Sequence, residues 1–170
     1  TAPDTGIYSF GAMHPDYPDY KQELRWLANN GFKGIKLHSD YQLHFADDDA
    51  TMHIIDEAES LGLYTTLHAG IDIGYPTPVH CTPQMSRRII DTLHPTHMIL
   101  AHTGGWKQWD DVIGLLDDPD VFLDRCRESS HRFYSRYHPS DPGRAAYVLT
   151  PQGYVLHCPR ANLCQTAGGR

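Results

Sequence analysis

The sequence predicts an α/β fold, a partial (β/α)8 barrel of about five βα units followed by an irregular C-terminal tail. Three observations predict it. Short apolar runs alternate with helical patterns at the length of a βα repeat. Each run ends in a polar, ligand-type residue: His14, His38, His68, His102 and Asp124. The chain also lacks GxGxxG, the fingerprint that would support a doubly wound dinucleotide fold. A βα crossover makes successive strands parallel, so all these residues fall at one sheet edge, the edge where α/β folds build sites.

The elements follow in order. Residues 6–13 (GIYSFGAM) read as a strand, and Pro15 and Pro18 mark the loop after it. Leu24, Leu27 and Ala28, set among charged residues, give a helix over 20–29, stopped by Asn29-Asn30-Gly31. Residues 32–38 are the next strand, and Ser39-Asp40-Tyr41-Gln42 leaves it as a loop. The triplet Asp47-Asp48-Asp49 suits the start of a helix over 50–60, with Met52, Ile55, Ala58 and Leu61 as its apolar face and Gly62 closing it. Residues 63–68 form a strand. A loop rich in Gly and Pro then leads to a helix over 83–93, started by Thr82 as cap and Pro83 at the first helical position. Residues 98–102 form a strand, 108–116 a helix, and 121–124 the opening of a fifth strand. Eight units make a full barrel of about 250 residues, so five read as the middle of one.

Composition bounds the function. The 170 residues are 40% hydrophobic, enough for a single core. No apolar run approaches membrane-spanning length and no signal-like segment opens the chain, so a cytoplasmic protein without a membrane partner is expected. The net charge of −7 argues against nucleic acid. The four Cys form no CxxC pair, which excludes zinc-ribbon and thioredoxin-type motifs. Charge is unevenly placed: residues 1–124 hold 7 Lys and Arg against 19 Asp and Glu. Residues 125–170 hold 7 Arg, no Lys, and only Glu128 and Asp141 as acids. Two domains are therefore expected, a barrel-like 1–124 and an irregular basic 125–170. The tail's Arg-, Ser-, Pro- and Cys-rich composition reads as sequence translated after loss of frame near codon 124.

The strongest chemical signal lies in TTLHAG and MILAHTGGW. His68 and His102 end two strands joined by one helix, so two imidazoles converge on one edge. That pattern points to a metal or an acid–base site. By strand alternation Lys36 and His38 share a face, which is the barrel interior if His38 reaches the site.

The series GIYSFGAMHPDYP, GFKGIKLHSDYQ, TLHAGIDIGYP and ILAHTGGWKQWD resembles amidohydrolase family 2, the metal-dependent TIM-barrel hydrolases, over roughly residues 6–124. The resemblance implies a barrel entered at its third strand, with His68 ending the fifth and His102 the sixth, both as ligands of a divalent metal, most often zinc. The family's HxH pair and late Asp ligand have no counterpart in this sequence, so a further ligand must join His68 and His102. His38 and Asp72 are assigned as catalytic or ligand-orienting groups. Lys36, Tyr75, His80 and Trp106 are assigned to substrate binding, with the Tyr75–His80 loop as a lid. A bridging carbamylated Lys36, as in binuclear relatives of the superfamily, is a disfavoured alternative, because family 2 resembles the mononuclear group.

Three functions are open at this stage. One is a hydrolase of a C–N or C–O bond in a small carbonyl substrate, with this chain as a fragment of it. Another is a non-hydrolytic decarboxylase on the same scaffold. The last is a barrel fragment without catalysis, which would self-associate through exposed strand edges.

Overall fold

The computed structural model describes residues 8–75, 77–115, 122–125, 146–149 and 155–158. Five parallel strands, β1 (Phe10–Ala12), β2 (Gly34–Leu37), β3 (Tyr64–Leu67), β4 (Met98–Leu100) and β5 (Phe122–Arg125), lie side by side in chain order. Helices α1 (Tyr20–Asn29), α3 (Asp49–Ser60), α4 (Pro83–Leu93) and α5 (Trp109–Leu115) connect them, and a single turn, α2 (Ser39–Gln42), follows β2. A doubly wound sheet reverses its strand order at a switch point. These five strands do not reverse. The connecting helices pack in one row, α1 on α3, α3 on α4 and α4 on α5. The arrangement is a sector of a (β/α)8 barrel, as the alternation predicts. No helix of the described residues is long and apolar enough to cross a membrane.

Local chemistry explains the boundaries. Asp48 caps α3, its Oδ1 accepting the Thr51 N–H at 2.8 Å. Thr82 caps α4 through the Met85 N–H at 3.3 Å, and Pro83 occupies the first turn, where a missing N–H leaves nothing unpaired. At the end of α1, Gly31 takes a left-handed φ of 79°, the conformation that the Asn-Asn-Gly stop offers.

Packing then selects one face of each element. Leu24 and Leu27 of α1, Ile54, Ile55 and Ala58 of α3, Ile89 and Ile90 of α4, and Val112 of α5 are buried with Ile35, Leu37, Leu67, Met98 and Leu100 of the sheet. Each large side chain here contributes about 1.5–3 kcal/mol by leaving water. In α3 Ile54 is fully buried along with Ile55 and Ala58, while Met52 is only partly covered. The helix is therefore rotated slightly from the expected Met52–Ile55 face.

Three features depart from expectation. The expected loop 39–42 is a helical turn, held by a tertiary clasp: Gln42 Oε1 accepts the His38 N–H at 2.9 Å and Gln42 Nε2 donates to the Met13 carbonyl. Four residues are too few for periodicity to register. The fourth strand ends at Leu100, not His102, and His102–Gly104 form a 3-10 turn with His102 and Thr103 at φ 56° and 57°. Within the tail, where the sequence marks no regular element, β6 (Ala146–Leu149) lies antiparallel to β7 (Val155–Cys158), which pairs antiparallel with β5. The rest of the tail and the side chain of Asp124 lie outside the described residues.

The loops after β3 and β4 are joined at Gly70. Trp106 N–H donates to the Ala69 carbonyl at 2.9 Å and Ile71 N–H to the Trp106 carbonyl at 3.0 Å. Gly70 has φ +89°, and a Cβ there would lie 2.0 Å from the Trp106 nitrogen. Only glycine admits so close an approach of two backbones.

Candidate functional site

Alternation along β2 buries Ile35 and Leu37 against the helices and turns Lys36 and His38 to the opposite face. Leu37 pairs in register with Leu67, so His38 and His68 each follow a matched pair on neighbouring strands. Their rings stack, with centroids 4.0 Å apart at 13°. His102, from the turn after β4, brings Nε2 to 3.1 Å from His68 Nδ1. Asp72 reaches back from the loop after β3. Four residues assigned from the sequence, His38, His68, Asp72 and His102, therefore converge.

The two ring nitrogens of His68 face different surroundings. Nδ1 is satisfied by His102. Nε2 is buried with no hydrogen-bond partner, although Asp72 Oδ2 lies 3.7 Å away and Asp40 Oδ2 3.9 Å away. His38 Nε2 is 3.6 Å from the same Asp72 oxygen. These separations are too long for hydrogen bonds. They resemble the edges of a coordination polyhedron, about 3.4 Å between N or O ligands on a tetrahedral zinc. Among the described residues His38, His68 and Asp72 offer one ligand atom each within 4.8 Å of one another. Unpaired polar atoms in a protein interior cost about 1–3 kcal/mol each, and a cation in this gap would relieve them. The donor set fits a divalent metal.

The electrostatics agree. Burial, reinforced by the neighbouring His38, His102 and Lys36, pushes His68 down to about 3, against the opposing pull of Asp72. Burial followed by Lys36 and His38 lowers His102. Burial followed by Lys36 lowers His38, with Asp72 and Asp40 opposing. All three imidazoles are therefore neutral near pH 7 and keep a lone pair, the state in which His binds a metal.

The residues assigned to substrate binding are spread around this centre. Tyr75 is 42% exposed at the rim, its ring 5.1 Å from Tyr41. Trp106 packs edge-on to His102 at 6.0 Å and to Trp109 at 5.4 Å. Lys36 lies on the His38 face, and its charge acts on all three imidazoles. His80 turns inward: it is 8% exposed, and its Nδ1 meets Asp40 Oδ1 at 2.9 Å.

Two neighbours of the site escaped the sequence reading. Asp40 is fully buried, and Tyr41 sets its ring 4.1 Å from His38. The available signal was position, since both follow directly on the strand-end His38. A second group, His14, Asp16 and His44, lies at the exposed surface. There His44 is already paired on both nitrogens, with Asp48 at 2.7 Å and Asp16 at 3.0 Å.

Comparison with known proteins adds independent findings. A family model described as amidohydrolase matches residues 2–157. Among solved structures, a probable 2-pyrone-4,6-dicarboxylic acid hydrolase from Acinetobacter baumannii with citric acid bound is similar at 16% identity and TM-score 0.47. The match covers 68% of this chain and 42% of that one. A beta-arabinopyranosidase is similar at 11% identity and TM-score 0.42, over 69% of this chain and 22% of that one. The chain thus spans less than half the length of either. No curated protein sequence matches it.

Proposed function

This chain belongs to the amidohydrolase family, and on that premise we propose that it serves a metal-dependent hydrolase acting on a C–N or C–O bond of a small carbonyl substrate. The observation that carries the reading is the buried, unpaired Nε2 of His68 beside Asp72 and His38. Those three residues would hold the ion. Two imidazoles and one carboxylate are a catalytic-zinc donor set, which is why zinc is the metal proposed. When bound, a divalent ion supplies Lewis acidity, polarising a carbonyl and activating water for attack.

The chain's own side chains do the rest. His102 holds the ring of His68 through Nδ1 and so fixes which nitrogen faces the ion. His102 Nδ1 is itself buried without a partner, and it is the atom assigned here to carry a proton to or from substrate. Tyr41 and Tyr75 line the open side as planar walls for the substrate. The loop after β3 is tied to the loop after β4 at Gly70, which holds Asp72 and His102 in fixed relation. A small-molecule substrate is the partner in this reading.

A second reading rests on one distance. The 3.1 Å between His68 Nδ1 and His102 Nε2 is near the edge of a tetrahedral ion too, and would make that pair the ligands, as the family resemblance implies. Zinc titration of His38→Ala and His102→Ala separates the two. Loss of binding only in H38A favours the Nε2 side, and loss only in H102A favours the Nδ1 side. Incubation of the zinc-loaded chain with ester, lactone and amide substrates then tests hydrolysis. Carbon dioxide release from a keto-acid panel would identify a decarboxylase instead. A folded chain that takes up no zinc would sink both readings.

A further inference from the structure

We propose that Asp40, through Oδ2, is a further carboxylate donor to the ion at His68, and that His80 is the residue that positions it. The inference rests on the metal reading above and adds to it a donor from another segment.

Asp40 sits in α2, one turn past the end of β2, and none of it is exposed. Its Oδ1 accepts two hydrogen bonds from one residue, the His80 backbone N–H at 3.2 Å and His80 Nδ1 at 2.9 Å. His80 is anchored in turn, its carbonyl taking the Ala46 N–H at 2.8 Å, while the adjacent Cys81 carbonyl takes the Gly70 N–H at 2.8 Å. This clamp fixes the direction of the other oxygen. Oδ2 is buried, makes no hydrogen bond, and points at a nitrogen that also makes none, His68 Nε2, 3.9 Å away.

A purely structural Asp–His clip does not explain that arrangement. Burying a carboxylate costs several kcal/mol unless its charge is matched. Two donors on Oδ1 leave the second oxygen without a hydrogen bond. Across the gap from it stands His68 Nε2, 3.9 Å away and likewise without a hydrogen bond, with Asp72 Oδ2 3.7 Å from the same nitrogen. A cation between Oδ2 and Nε2 satisfies both of these unpaired atoms at once. A ligating carboxylate whose free oxygen is held by hydrogen bonds is the usual outer support of a metal site, and His80 provides it here.

The test is zinc affinity of the full chain, measured by competition with a chromophoric chelator, for wild type, Asp40→Asn and His80→Ala. Asparagine keeps the Oδ1 acceptor for His80 and removes only the charge on the second position. D40N is expected to bind zinc about 100-fold more weakly and H80A about 10-fold more weakly, with melting temperatures in chelator that do not track those losses. The visible spectrum of the cobalt-loaded D40N chain is also expected to change, which a loss of stability alone would not cause. Should D40N not fold, the wild-type chain labelled with 13C at aspartate carboxyls decides: zinc must move the Asp40 resonance. Wild-type affinity in D40N, or an unmoved resonance, overturns this proposal and leaves the His38–His68–Asp72 site standing. A wild-type chain that binds no zinc overturns both.

Discussion

Replacing Gly70 with alanine tests whether the contact between the two site loops holds them as tightly as the geometry requires. Alanine at φ +89° carries a steric penalty of about 1–2 kcal/mol. Its Cβ would lie 2.0 Å from the Trp106 nitrogen and 2.5 Å from the Gly105 carbonyl carbon, both backbone atoms that cannot rotate away. Relief requires separating the loops, which breaks the Trp106–Ala69 and Ile71–Trp106 hydrogen bonds at about 1 kcal/mol each. The total is about 3–4 kcal/mol. Gly62 provides the control: it too has a left-handed φ, +67°, but a Cβ there meets nothing within 4 Å, so G62A is expected to lose about 1 kcal/mol. Denaturant titrations of both variants, compared at a common m, give the difference directly. Equal losses in G70A and G62A would refute the close approach as the reason for glycine at 70.

Four further outcomes are expected. Glu59 accepts hydrogen bonds from the N–H groups and side chains of Thr96 and His97 at 2.6–3.1 Å. Burial raises its pKa, but these donors together outweigh burial and hold it below 4.5. A lowered carboxylate contributes stability above its unfolded pKa and loses it as pH falls through the folded one. Glu59→Gln should therefore cost about 1–2 kcal/mol at pH 7 and nothing in acid below both values; a pH-independent cost would count against the ionised bonds. Ile54→Ala removes a fully buried side chain and is expected to lose about 2–5 kcal/mol, read as a drop in denaturation midpoint. Thr82→Ala removes the α4 cap at about 1 kcal/mol, checked in the same titration. Zinc at 100 times its dissociation constant should stabilise the chain by about 2.7 kcal/mol, seen as a rise in melting temperature that chelator reverses; an unchanged melt would speak against a site formed only in the folded chain.

Much of this architecture is legible along the chain. The apolar alternation places all five parallel strands, and the helix over 20–29 begins and ends where its leucines and its Asn-Asn-Gly stop say. Asp48 and Thr82 act as the caps their positions suggest. These signals are local: a cap, a proline or a periodic face acts within one or two turns, so neighbouring residues suffice to read it. Strand-end histidines are legible for the same reason, since parallel crossovers carry every strand end to one edge.

What tertiary structure decided concerns atoms brought together across long stretches of chain. The turn at 39–42 exists because Gln42 reaches Met13 and His38, and no window around residue 40 contains Met13. His102 leaves the strand because its turn must meet Gly70 across 30 residues or more of sequence. Asp40 becomes a site residue only when His80, forty positions away, clamps one of its oxygens and the sheet delivers His68 to the other. The sequence by itself determined which residue types stand at the ends of the strands, because that depends on hydrogen bonds and side-chain periods within each element. Only the packed sheet decided which of their lone pairs face one another, because register, burial and ring orientation are properties of neighbouring strands together.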